Sequence, residues 1–175
     1  MLFCFSKFII STKISSLAPE EKSYTENELL EKLARYCTYQ ERCVSEVRKK
    51  LDDLKATPEQ IDNIVNWLSS ERFINEERYA KVIAGSKFRL KKWGKFKIIQ
   101  FLKAKQIPSS LIYAALNESI EADSYISTLE YLAHKKHTSL GHKKDNLTKQ
   151  KLVRHLLSKG YENDLIWEVV PPLFE

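Results

Sequence analysis

Residues Phe73–Ile107 read FINEERYAKVIAGSKFRLKKWGKFKIIQFLKAKQI, and the fold is read outward from them. From Lys81 to Lys105 there are nine Lys or Arg residues and no Asp or Glu. Apolar residues run through the same stretch at helical spacing, so the segment must build a core and present a cationic surface at once. Asn75 can cap a helix, with Glu76 and Glu77 in its first turn, where the helix dipole favours acids. At about 100° per residue, Tyr79, Val82, Ile83, Ser86 and Leu90 share one side of that helix. Arg78, Lys81, Phe88, Arg89 and Lys92 fall on the other. This second face is cationic, with Gly85 leaving a gap and Phe88 expected as an exposed ring. Such a face suits phosphates or an acidic protein groove, although a solvated polar face has the same pattern. Trp93-Gly94 then breaks the chain between two helices. Gly94 can take a backbone conformation denied to other residues or cap the next helix, and Trp93 reads as a packing residue at a junction.

The segment also contains one copy of a pattern that recurs along the chain. Ile98, Leu102 and Ile112 are spaced by four and then ten residues. Val47, Leu51 and Ile61 have the same spacing, as do Leu152, Leu156 and Ile166. Leu51 to Leu102 is 51 residues, and Leu102 to Leu156 is 54. Each set continues similarly, through Ile64/Val65, Ala115/Leu116 and Val169/Val170. The opening helices correspond through Leu29/Leu33, Tyr79/Ile83 and Tyr125/Leu129. A repeat of this length is the mark of tandem structural units. We therefore expect an all-α protein of three tandem three-helix units, elongated and curved. The expected division is a disordered tail or upstream extension at 1–22 and units at 23–72, 73–120 and 121–175. A unit of this size buries little core alone, so neighbours should pack together.

Local signals agree. Thr57-Pro58-Glu59-Gln60 reads as a helix start, with Thr57 as N-cap, Pro58 at the first helical position and Gln60 completing a capping box. Pro171-Pro172 should end the last helix. The polar connection from His134 to Asn146 is expected as an exposed loop. Four Gly and five Pro among 175 residues disfavour a fold rich in tight hairpins. The hydrophobic share of 43% suffices for a core.

The net charge of +6 and a pI of about 9.1 suit an anionic partner such as nucleic acid or a nucleoprotein. The charge is unevenly placed. Glu20, Glu21, Glu26, Glu28 and Glu31 make the start acidic, whereas the middle unit and the connection in the third are basic. The candidate contact residues are Arg78, Lys81, Lys87, Phe88, Arg89, Lys91, Lys92, Lys95 and Lys97. Lys135, Lys136, Lys143 and Lys144 form a second basic group.

Other chemistry finds little support. Cys4, Cys37 and Cys43 have no paired spacing and read as reduced thiols of a cytoplasmic protein. The apolar run at the N-terminus is broken by Lys7, is too short to span a membrane and has the wrong order of regions for a secretory signal. His134, His137 and His142 lack the further ligands a zinc site needs and are expected to add pH-dependent charge to the basic loop. Gly85-Ser86-Lys87 lacks the upstream glycine and strand of a phosphate-binding loop. Neither GxSxG nor HExxH occurs. The reading is of a binding protein without a catalytic pair, metal or cofactor.

The middle stretch resembles the RecX family of regulators of the RecA recombinase. The residues that carry the resemblance are Phe73-Ile74-Asn75-Glu76 with Tyr79-Ala80, then Arg89, Gly94, Ile98, Leu102, Lys105 and Ile107. Gln106 stands where the family has Gly. Leu152-Val153-Arg154-His155-Leu156-Leu157 with Lys159-Gly160-Tyr161 fits the third unit, and Glu46-Val47 with Leu51 fits the first. Cys43 stands where many members have Ser, so Thr38 with Glu41 is an alternative cap there. The resemblance covers roughly Leu29 to Glu175. It implies a non-catalytic, monomeric protein that lodges in the groove of the RecA–DNA filament and damps ATPase, strand exchange and coprotease functions. It also implies single- or double-stranded DNA as a partner, met directly or within the filament. The alternative is a general DNA-binding or architectural helical protein that acts independently of RecA.

Overall fold

A computed structural model describes residues 24–175. Expectations that fall earlier, the tail at 1–22 and the Cys4 thiol among them, lie outside the described residues. Nine α-helices follow one another, and no strand occurs among the described residues. They are α1 (Glu26–Tyr39), α2 (Val44–Asp53), α3 (Pro58–Ser70), α4 (Glu76–Lys91), α5 (Lys95–Ala104), α6 (Ser109–Ser119), α7 (Ala122–Ser139), α8 (Asn146–Lys159) and α9 (Asn163–Val169). A 3-10 turn, Pro171–Leu173, closes the chain, as the proline pair requires. The fold is all-α, and its main packing falls within the sets α1–α3, α4–α6 and α7–α9.

The starts of the helices follow from side-chain chemistry. The Thr57 hydroxyl accepts from the Gln60 backbone N–H (3.3 Å), and the Gln60 side-chain Oε1 accepts from the Thr57 N–H (2.9 Å), which completes the expected capping box. Thr25 and Glu28 make the same arrangement at α1. Asn75 accepts from the Arg78 N–H (2.7 Å) at the start of α4. At α2 neither alternative supplies a side-chain cap. Cys43 occupies the N-cap position without a capping bond. Thr38 lies inside α1, where its hydroxyl donates to the Ala34 carbonyl (2.9 Å).

All nine residues of the three recurring triplets are buried. Ile61 is the least so at 8% exposure. They feed two cores. One joins α1, α2 and α3 through Leu29, Leu33, Val47, Leu51, Ile64 and Leu68. The other runs continuously through α4 to α9 and takes in Cys43 from the first set.

The two junctions between sets are built differently, and the repeat shows why. Cys43 and Gly94 are equivalent positions, 51 residues apart, and so are Gln106 and Gly160, 54 apart. Between the second and third sets the turns before α5 and after α8 meet backbone to backbone. The Gly94 N–H donates to the Lys159 carbonyl (2.9 Å) and the Phe96 N–H to the Gly160 carbonyl (3.1 Å). A Cβ on Gly94 would lie 2.2 Å from the Gly160 carbonyl oxygen, so only glycine permits this approach. Around it, the Tyr125 hydroxyl accepts from the Lys95 N–H (2.9 Å) and donates to the Glu162 carboxylate (2.6 Å). Its ring packs on Tyr161, with centroids 5.0 Å apart.

Between the first and second sets the position of Gly94 is taken by the fully buried Cys43, and the Ser45 hydroxyl donates to the Lys105 carbonyl (2.8 Å). Glu46 accepts from Lys105 Nζ (2.7 Å) and from the Tyr79 hydroxyl (3.3 Å). Glu41 pairs with Arg78 (2.6 Å). This junction is polar where the other is aromatic and tightly apposed.

Gln106 itself shows what the loss of glycine leaves behind. It keeps the left-handed conformation of its counterpart, with φ +64° against +90° for Gly160, and Lys55 at the end of α2 does likewise at +59°. A side chain there costs about 1–2 kcal/mol, partly offset by the looser unfolded chain that a glycine brings. Because the Gln106 side chain is exposed, Gln106→Gly should raise the unfolding midpoint by about 2 °C. A lowered midpoint in thermal melts would show that the glutamine makes a contact worth more than its strain.

Candidate functional site

The candidate cations of α4 and α5 divide according to what the fold places beside them. Arg78 is spent on structure, since it pairs with Glu41 and donates to the Arg72 carbonyl (3.2 Å). Lys81 lies between Glu118 and Glu77, 2.8 Å from each. Hydrogen bonds to Glu118 and then Glu77 hold its ammonium above the usual lysine range. Lys87 and Lys97 lie over aromatic faces. Lys87 is 5.3 Å from the Trp93 centroid and 4.8 Å from that of Phe101, and Lys97 is 5.1 Å from Trp93. Lys97 also donates to the Ser158 carbonyl (2.9 Å), and Lys95 stands 4.8 Å over the Tyr125 ring. Trp93 meets Phe101 edge-on at 5.9 Å, which makes it the packing residue expected. Arg89 and Lys91 are exposed. Lys92 is in the left-handed conformation at the end of α4 (φ +53°) and lines a shallow pocket with Ser124, Thr128 and Tyr131.

The expected exposed ring is corrected. Phe88 is 4% exposed, and its ring lies 5.8 Å from that of Tyr125 inside the shared core. Gly85 is buried as well, and the Arg89 guanidinium lies across it. The apolar face of α4 is Tyr79, Ala80, Ile83, Ala84 and Phe88, whereas Val82 (46%) and Leu90 (78%) face outward. Ala80 and Ala84 are fully buried on α4, which packs most extensively on α6, and the Ser119 hydroxyl donates to the Lys81 carbonyl (3.2 Å) between the two helices.

The second basic group also moves. α7 continues through His134 and His137 to Ser139, so the loop expected from His134 to Asn146 shrinks to 140–145. Thr138 and Ser139, in the last turn, donate back to the carbonyls of His134 and Lys136. Lys135 and Lys136 are therefore helical, and Lys143 and Lys144 lie in the short exposed loop. His137 is a core residue rather than part of a charged loop. It is 5% exposed, with its ring 4.9 Å from Phe174. Among the described residues no group of three or more His, Cys, Asp or Glu side chains could hold a metal ion. Cys37 and Cys43 are free thiols, and burial pushes Cys37 up to about 11.

A further basic surface lies on α8. From Lys135 to Lys159 there are eight Lys or Arg residues and one acid, Asp145. That acid is used as the α8 cap, accepting from the Thr148 N–H (2.6 Å). A groove between α7 and α8 is lined by Lys136, Lys151, Arg154 and His155. Burial holds the His155 imidazole below its usual range, and Lys136 and Lys159 lower it further. On its other side, Arg154 also lines a groove of about 470 Å³ with Lys149, Leu157 and Trp167. Lys151, Arg154, His155 and Trp167 fall outside the basic groups expected from the sequence, which follow the loop rather than the helix. The signal available was an α8 free of acids. No described helix is long and apolar enough to cross a membrane.

Comparison with known proteins places these sets in a family. Residues 75–116 match the second three-helix domain of RecX, and residues 123–170 match the third. The chain is 32% identical over 164 residues to the regulatory protein RecX of Clostridium perfringens (strain 13 / Type A), across 92% of this chain and 68% of the relative. It is 29% identical over 128 residues to regulatory protein RecX of Lactococcus lactis subsp. lactis (strain IL1403), across 72% of this chain and 47% of the relative. For that of Clostridium acetobutylicum the identity is 32% over 132 residues, and the match spans 61% of the relative. The chain thus spans about half to three-fifths of the length of those last two relatives. The crystal structure of RecX from Lactobacillus salivarius superposes with a TM-score of 0.74 at 24% identity, covering 85% of this chain and 96% of that one. At that identity the likeness speaks for the fold.

Proposed function

The chain belongs to the RecX family, and on that premise we propose that it is a non-catalytic modulator, mainly an inhibitor, of the RecA recombinase. It binds the RecA–DNA filament and damps ATPase, strand exchange and coprotease activities in DNA recombination and repair. It acts in the cytoplasm as a monomer. The observation that carries this reading is the succession of the second and third RecX domains along one chain.

The geometry supports it in one respect. The cations of α4, α5 and α8 sit on helices joined by direct backbone hydrogen bonds at Gly94 and Gly160. Their spacing is fixed across two sets of helices, which suits a filament that repeats its contacts. The division into units at 23–72, 73–120 and 121–175 belongs to the same proposal.

The test is RecA ATPase on single-stranded DNA, with co-sedimentation against assembled filaments, free RecA and bare DNA. ATPase should fall as the protein approaches stoichiometric amounts, and the protein should sediment with filaments. Unchanged ATPase at stoichiometric protein overturns the reading. The acid-free α8 favours a second reading, a general DNA-binding protein. That reading predicts tight binding to bare DNA, falling steeply with salt, and no effect on RecA beyond competition for DNA.

A further inference from the structure

We propose that α8 and the two grooves beside it form a site for single-stranded nucleic acid, with phosphates held by Lys136, Lys151 and Arg154 and a base stacked on Trp167. The proposal rests on the reading that nucleic acid is a partner but not on any role for RecA.

Three observations carry it. First, the cations are held in no ion pair among the described residues, although Asp145, the α8 cap, lies within electrostatic reach of Lys151. Arg78 and Lys81 are neutralised by neighbouring acids, whereas Lys136, Lys151 and Arg154 line their groove with no acid among its lining residues. A backbone of phosphates is the anion that several fixed cations in a row can exchange for released counterions.

Second, a large ring is presented beside them. Trp167 is 48% exposed although α9 is anchored around it, Ile166 on the helix and Val170 at its C-cap being fully buried. The Lys149 ammonium stands over the Trp167 ring, 5.4 Å from its centroid, so a base that stacks there displaces this flexible side chain, which can then meet the adjoining phosphate. Third, Arg154 lines both grooves, which makes the phosphate track and the ring one continuous surface. Cations that follow a backbone with a ring that takes a base face are the two parts of a single-strand site.

The chemistry selects a single strand over the alternatives. The α8–α9 groove, about 470 Å³, admits a base but not a duplex, and the bases of a duplex are stacked on each other and cannot reach the ring. An acidic protein segment would satisfy the lysines but has no flat base to lay on the half-exposed indole.

The test is anisotropy of a labelled oligothymidylate with the full chain and no RecA, over a series of salt concentrations. Trp167→Ala should weaken binding about tenfold to a hundredfold with its salt dependence unchanged, while Trp167→Phe should keep most of the affinity. Lys151→Gln with Arg154→Gln should reduce the slope of log affinity against log salt by roughly 1.4. Thermal melts establish that each variant is folded. The proposal is overturned if Trp167→Ala binds like the wild type. It is equally overturned if the double variant keeps its salt slope, or if poly-glutamate displaces the oligonucleotide as well as unlabelled strand does. The RecA reading is scored separately. A Trp167→Ala protein that has lost the oligonucleotide but still inhibits RecA ATPase supports the single-strand site and leaves the filament reading standing, whereas wild-type protein that binds the oligonucleotide without inhibiting RecA sinks only the filament reading.

Discussion

Gly160→Ala should lower the unfolding midpoint by about 10 °C. Two costs combine at this position. The residue is left-handed, with φ +90°, where a Cβ costs about 1–2 kcal/mol. The new methyl would also lie 2.4 Å from Lys97 Cβ and 2.5 Å from the Lys97 nitrogen. Backbone and Cβ cannot swing aside as the end of a side chain can, so the turn must separate from α5, at a further cost of about 1–3 kcal/mol. At this chain length each kcal/mol moves the midpoint by about 2–4 °C.

Two further glycines separate the contributions. Gly141 is left-handed too (φ +78°), but a Cβ there meets nothing within 4 Å. Gly141→Ala should therefore show the backbone cost alone. Gly94 has φ −75°, which any residue adopts, yet its Cβ would strike the Gly160 carbonyl. Gly94→Ala should show the collision alone. Calorimetry of the three variants checks this order, and a Gly160→Ala protein no less stable than Gly141→Ala would refute the interlock. Tyr125 and Tyr161 pack beside this contact, so their near-ultraviolet signal should weaken in Gly94→Ala and Gly160→Ala and persist in Gly141→Ala.

The same residues show which parts of the fold can be read from the sequence. Burial of large apolar side chains at fixed offsets is a property of sequence spacing, so the triplets ending at Ile61, Ile112 and Ile166 marked the core correctly. The rotation of α4 was not legible in that way. Its buried face includes Ala80 and Ala84, small residues whose burial reflects the packing of a neighbour that the sequence does not display. Grouping at about 100° per residue around Tyr79, Val82 and Ile83 places Leu90 inward and Phe88 outward, the reverse of their places. Charge was legible as a total and misleading as a location. Arg78 and Lys81 look as available in sequence as Arg89 does, and only the fold brings Glu41 and Glu118 to them. The cations of α8 were overlooked for the complementary reason, since they are divided among residues that also spell the repeat.

Arg89→Glu combined with Lys92→Glu should weaken binding to RecA filaments by about a hundredfold while leaving the helices intact. Arg89, exposed, and Lys92, half-buried at the rim of a shallow pocket, stand on the outward side of α4, away from the acids that hold Arg78 and Lys81. The double reversal changes the local charge by four, and like charges brought together at an interface cost several kcal/mol, of which roughly 2.7 kcal/mol corresponds to that factor. The structural cost is smaller. Two acids at the C-terminal end of α4 oppose the helix dipole by about 0.3–1 kcal/mol each, and the backbone at Lys92 is left-handed with either residue. Circular dichroism should therefore be unchanged, and co-sedimentation with filaments should fall at moderate salt. The loss should shrink as salt screens the repulsion. Bare single-strand binding through Trp167 should survive, because α8 is untouched. If the double reversal leaves filament binding unchanged, α4 is not the contact and the filament meets the α8 side of the molecule. If filament and single-strand binding fall together, the two surfaces serve one ligand, and the strand inside the filament is what the protein grips.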